Sequence, residues 1–142
     1  MKTSVISALG VLALLCAGTS GCSSTKGLRP IQPSNGAKIS DLQPTFAWKA
    51  SKHPGVTYDL TVYPKSDSGE APSVKSAGAY YREGLSGTEH KVETPLQGDT
   101  LYAWAVRERN GAATGEWNRR TSHLILLVYN RTITKPYEFR TP

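Results

Sequence analysis

LQGDTLYAWAVR, residues 96–107, decides the fold. From Leu101 onward large and small residues alternate. Tyr102, Trp104 and Val106 fall on one side of an extended chain, with Leu101, Ala103, Ala105 and Arg107 on the other. A period of two is the signature of a strand, because successive side chains point to opposite faces. A helix would bring together residues three and four apart, and no such stripe exists here. One face of this strand is therefore predicted to be aromatic and buried.

The same period recurs on both sides. Val56, Tyr58, Leu60 and Val62 share a face, with Thr57, Asp59 and Thr61 opposite, as expected of an antiparallel sheet with an apolar inner face and a polar outer one. Thr45-Phe46-Ala47-Trp48 places Phe46 and Trp48 together. Weaker strands are read at Ala79-Tyr80-Tyr81-Arg82, His90-Lys91-Val92 and Tyr137–Thr141. His123–Tyr129, HLILLVY, is a continuous apolar run that reads as one central, doubly covered strand or as a partner- or membrane-facing one. Turn formers punctuate these runs at Pro33-Ser34-Asn35-Gly36, Asp41–Pro44 and Gly111–Gly115, and a polar surface loop is read over Lys65–Lys75. No amphipathic helix and no internal repeat emerge. About seven short strands over about 115 residues predict an all-β, antiparallel β-sandwich.

Composition agrees with one globular domain: 142 residues, 38% hydrophobic and 20% charged, with 13 Gly and 9 Pro. The net charge of +6 admits an anionic partner. The basic residues are nevertheless scattered, with only Arg119 and Arg120 adjacent near the end of the chain, so no arm for nucleic acid is read.

The N-terminus carries the addressing information. Met1–Ser4 bears one positive charge, and Val5–Ala17 is almost wholly apolar or small. At about 13 residues that run is too short to span a bilayer, which takes about 20, but it has the dimensions of a secretory leader. Small residues Thr19-Ser20-Gly21 then lead into Cys22 and Ser23-Ser24. This resembles the lipobox of bacterial lipoproteins, with Gly21 and Ser20 in the expected places and Thr19 where Leu is usual. The resemblance implies removal of residues 1–21 by cleavage between Gly21 and Cys22, and acylation of the Cys22 thiol, palmitate included. Cys16, behind the bulky Leu15, leaves with the leader. The competing reading is an ordinary leader with incidental cysteines.

With Cys22 acylated, no second thiol remains for a disulfide, a redox pair or a cysteine-based metal site. Residues 22–27 read as the lipidated cysteine and a short polar tether, and 28–142 as the sandwich, with an insertion near 119–136. Ser23, where Asp would favour inner-membrane retention, implies by the same resemblance the outer membrane of a Gram-negative cell. The membrane, through the lipid, is then one partner, and an envelope protein is the expected second.

A second resemblance covers residues 28–142. Leu96, Thr100 and Tyr102 match the Leu-x-Pro-x-Thr-x-Tyr pattern of fibronectin type III domains, with Gly98 where Pro is usual. Trp48 on an early strand, Trp104, the Gly-rich turn before Glu116-Trp117 and the closing Phe139–Pro142 extend it. The resemblance implies that the Tyr102 hydroxyl bonds back to nearby backbone, and that Trp48, Leu96, Thr100, Tyr102 and Trp104 are structural. Folds of this kind host many functions and imply no activity.

A search for chemistry returns little. His53, His90 and His123 lack metal-ligand spacing and read as surface or edge residues. Gly84-Leu85-Ser86-Gly87 lacks the spacing of a serine nucleophile elbow. No metal, no catalytic residue and no cofactor beyond the lipid are expected. Tyr80, Tyr81 and Trp117 could stack on sugar rings or plug the ends of the core, and Arg107, Arg109, Arg119 and Arg120 could meet an anion or form a solvated face. The leading expectation is a non-catalytic, lipid-anchored module for protein interaction. The alternative is a carbohydrate- or peptidoglycan-binding module.

Overall fold

The computed structural model describes residues 24–65, 78–126 and 129–142. The leader, Cys22 and most of the loop read over 65–75 lie outside the described residues. In chain order the strands are β1 (Ser24–Lys26), β2 (Pro30–Gln32), β3 (Ala37–Lys38), β4 (Thr45–Trp48), β5 (Thr57–Pro64) and β6 (Tyr80–Leu85). They continue with β7 (Glu89–Lys91), β8 (Leu101–Asn110), β9 (Ala113–Thr114), β10 (Arg119–Leu126), β11 (Tyr129–Lys135) and β12 (Tyr137–Arg140). No helix occurs among the described residues.

The architecture is a β-sandwich. One sheet has the order β2-β4-β7, and the sheet facing it runs β3-β12-β8-β5-β6, with β9 folded back on β8. Every ladder is antiparallel except β3 with β12, which is parallel. The core is what the period of two selects: Phe46 and Trp48 from β4 meet Leu60 and Val62 of β5, Trp104 and Val106 of β8, and Phe139 of β12. Phe46 sets its edge against Trp104 with centroids 5.0 Å apart, while Tyr102 stacks on Phe139 at 5.7 Å. These are the offset and edge-on geometries that ring quadrupoles favour.

Residues 96–102 form the corner that leads into β8. The Gln97 N–H donates to the Tyr102 hydroxyl at 3.0 Å, five residues away, so a buried polar atom is satisfied at the rim of the core. Gly98 stands in the Pro position for a steric reason: a Cβ there would lie 3.1 Å from the Pro142 carbonyl oxygen.

Three expectations are corrected. The outer face of β5 is not a solvated polar surface, because Asp59, Thr61 and Tyr63 are all buried, as are Ala103 and Ala105 beside them on β8. Pairing of β5 with β8 over its whole length sets Asp59 opposite Arg107, and arginines fold over the carboxylate. The tether expected over 22–27 is, from Ser24 to Lys26, a strand whose backbone pairs with the edge of β10, with Ser24 opposite Thr121 and Lys26 opposite Arg119. The run HLILLVY is not one strand but is divided between β10 and β11, with Leu126 opposite Tyr129. An unbroken apolar run looks the same whether the chain goes straight or reverses, which is why periodicity could not tell the two apart.

The strand beyond β8 is interrupted. Asn118 donates its N–H to the Val106 carbonyl at 3.0 Å, and the next residue to sit against β8 is Tyr137, opposite Trp104. The hairpin β10–β11 leaves and returns between these neighbouring positions. With β1 it forms a separate three-stranded sheet, β1-β10-β11.

Candidate functional site

On the outer face of β5, β6 and β8, a polar and aromatic cluster is built around Asp59. Its side chain is fully buried, and Arg107 Nε at 3.0 Å, Arg109 Nε at 2.7 Å and Arg109 Nη2 at 2.8 Å all donate to it. Burial alone would raise the Asp59 pKa, but the bonds from Arg109 and Arg107, with the Gly84 N–H, hold the carboxyl below the usual range. Arg109 also reaches Glu83 at 2.9 Å. The guanidinium of Arg107 lies over the Trp117 ring, 4.4 Å from its centroid, and Tyr81 meets Trp117 edge-on at 6.5 Å. The cluster is thus two rings and two guanidinium groups held by one buried carboxylate. Asp59 and Glu83 are the carboxylates brought together here. Both bind Arg109, and Asp59, held ionised, is not shaped to deliver a proton as a general acid must.

Tyr80 takes the opposite face, as alternation along β6 requires, and does not join this cluster. Its ring stacks on His90 at 5.9 Å, and its hydroxyl lies 2.6 Å from His90 Nε2 and donates to Glu93 at 2.9 Å. Arg82 pairs with Glu93 as well. Burial lowers the His90 pKa, so the ring is neutral, and burial together with the bond to Glu93 pushes Tyr80 up to about 12. His90 is half-buried on β7, which is an edge strand of its sheet as expected. Beside it an open groove of about 550 Å³ is lined by Pro64, Tyr80, Pro95, Leu96, Gln97 and Tyr102.

His53 is a surface residue, with Nδ1 2.8 Å from Glu108. Ser51 donates to the other oxygen of Glu108 at 2.8 Å. A serine nucleophile needs the imidazole to face hydroxyl and carboxylate through different nitrogens, whereas here the same His53 Nδ1 lies 3.4 Å from the Ser51 hydroxyl and 2.8 Å from Glu108. Nothing is described of the His123 side chain. Among the described residues no three His, Cys, Asp or Glu side chains are grouped to hold a metal, and no helix is long and apolar enough to cross a membrane.

Arg119 and Arg120 open β10, and the charge of Arg119 acts on the Tyr63 hydroxyl on the outer face of β5. In the register Arg119 is opposite Lys26 and Arg120 opposite Lys135.

Sequence reasoning missed the residue that joins these parts. Asn118 is fully buried, its Oδ1 accepts from the Val106 N–H at 2.7 Å, and its Nδ2 donates to the Leu28 carbonyl at 3.1 Å. It ties β8, the base of the hairpin and the chain entering the sandwich. Gly27, at φ +85°, is its steric counterpart, since a Cβ there would lie 3.1 Å from the Asn118 Cα. The only signal in the sequence was a lone Asn after Trp117, indistinguishable from a turn residue. Of the sequence-derived binding candidates, Tyr81 thus meets Trp117 on one face of β6, Tyr80 stacks on His90 on the other, and Arg119 and Arg120 stand at the start of β10. Comparison with protein-family models, curated proteins and solved structures finds no match.

Proposed function

We propose that this chain is a non-catalytic envelope lipoprotein, held at the outer membrane by lipid on Cys22. Its sandwich, read as a fibronectin type III-like module, docks a protein partner. The fold resemblance is supported by the Tyr102–Gln97 corner and by a three-stranded sheet facing a sheet centred on β8 and β5. The observation that carries the docking reading is the cluster of Trp117, Tyr81 and Arg107 beside β6, which among the described residues pairs with β5 alone. Trp, Tyr and Arg are the residues that dominate protein interfaces, and a strand with one free edge offers backbone donors and acceptors to a partner strand. The rings favour this over sugar binding. Tyr81 and Trp117 meet at 72° rather than in one plane, and Tyr80 lies on the other face.

In-cell crosslinking and pulldown of the lipidated protein tests the proposal. Recovery of a defined envelope protein is expected, with at least a tenfold loss of yield in Trp117→Ala, Tyr81→Ala at unchanged near-ultraviolet circular dichroism. Recovery of glycan alone overturns it.

A further inference from the structure

We propose that the end of the β10–β11 hairpin, at Leu126 and Tyr129, is seated in the interfacial layer of the membrane that holds the lipid on Cys22. This rests on the lipid-anchor reading. Three observations converge on it.

The first is direction. β1 runs antiparallel to β10, so stepping back from Lys26 to Ser24 moves from Arg119 to Thr121, toward Leu126. The chain therefore leaves the described structure, on its way to Cys22, heading for the hairpin end. The second is reach. Two residues separate Ser24 from the cysteine position, a span of about 7 Å at most. Thr121 to Leu126 is five residues of strand, about 17 Å. The hairpin end thus reaches about 10 Å farther along the shared direction than the attachment point can. That matches the depth of about 5–10 Å at which apolar elements seat in the headgroup and acyl boundary.

The third is composition ordered along the same axis. The strand ends nearest the turn read Leu124-Ile125-Leu126 and Tyr129, apolar with a tyrosine of the kind that favours the membrane interface. Behind them lie Lys26, Arg119, Arg120 and Lys135, Arg131 stands level with Leu124, and the three strands contain no acidic residue. The register also sets Arg120 opposite Lys135, a like-charge pair that a layer of lipid phosphates relieves. Neither β10 nor β11 pairs with any strand of the sandwich, so the hairpin is a separate element and not part of the core sheets.

The test uses the lipidated protein purified from envelopes and reconstituted in phosphatidylethanolamine–phosphatidylglycerol vesicles. A fluorophore is placed by Leu126→Cys, by Tyr129→Cys or, at the base, by Lys135→Cys, and mass spectrometry reads the lipid on Cys22. Quenching by acyl-chain nitroxides is expected to be at least twofold stronger at positions 126 and 129 than at 135, with aqueous iodide showing the reverse order. Use of two tip positions guards against one variant failing to fold. Lipid on Cys22 with both tip labels open to iodide overturns the hairpin inference and leaves the anchor standing. Tip labels quenched from the acyl phase without lipid on Cys22 overturn the anchor and leave the hairpin inference standing. Tip labels shielded in whole envelopes but open to iodide in vesicles assign the hairpin to a protein partner and overturn the membrane inference.

Discussion

Asn118 shows how much one buried side chain can hold. Its amide is the acceptor for the Val106 N–H and the donor to the Leu28 carbonyl, two backbone groups that otherwise lack these partners. Asn118→Ala leaves both unpaired in the interior, at about 1–3 kcal/mol each. A loss of about 2–4 kcal/mol in urea unfolding, at an unchanged denaturant slope, is the expected outcome. Asp59 works by charge instead. Its pKa is depressed in the folded state, so its contribution is complete above the unfolded carboxylate pKa, about 3.9, and drains away as pH falls through the lower folded value. Asp59→Asn removes a buried partner from Arg107 and Arg109 and is expected to cost about 3 kcal/mol at pH 7. The gap from the parent protein should shrink steadily below about pH 4, as read from stability curves at successive pH values. A gap independent of pH would mean that packing, not charge, sets the role of Asp59.

The hairpin is the element at which two reading methods part. Period-two alternation located β4, β5 and β8, because those strands have one face on the core and large residues mark it. It could not locate the reversal inside HLILLVY, where Leu124 to Val128 are all apolar and no glycine, proline or asparagine marks a turn. The polar stretch Ser24–Lys26 was equally silent, since a three-residue edge strand needs only backbone complementarity with β10. The geometry at the hairpin base carries a prediction of its own. Asn118 sits against Val106 and Tyr137 against Trp104, which leaves room for one residue between them along β8. Replacement of residues 119–136 by a single threonine should therefore yield a continuous strand. The shortened chain is expected to unfold in one cooperative transition and to keep the near-ultraviolet signal of the Trp104, Phe46 and Phe139 packing. Loss of that signal would show that the hairpin is integral to the core.

For the whole molecule, location and surface are separate questions. On the proposed lipidation of Cys22, labelling cells with radioactive palmitate is expected to mark the parent protein and not Cys22→Ala, which should also leave the outer-membrane fraction. Label surviving the substitution would refute the anchor. On the proposed anchoring, Cys22 would lie two residues before Ser24, which is already paired to β10, so little slack would separate the anchor from the folded chain. The sandwich would then be held close to the bilayer, with the Trp117 cluster carried on the β5–β6–β8 face.

What the sequence determined by itself is the all-β class and the identity of the core. Side-chain face in a strand depends only on position parity, so Phe46, Trp48, Leu60, Trp104 and Phe139 were committed to the interior before any pairing was known. Only the tertiary structure decided which residues meet across the chain. Arg107 and Arg109 reach Asp59 from 48 and 50 residues away, and Asn118 reaches Leu28 from 90. It also parted Tyr80 from Tyr81, joined Trp117 to Arg107 and put the polar face of β5 under cover. Local period is set by neighbouring backbone angles, whereas these contacts exist only after the sheets have chosen their order and register, which no local pattern encodes.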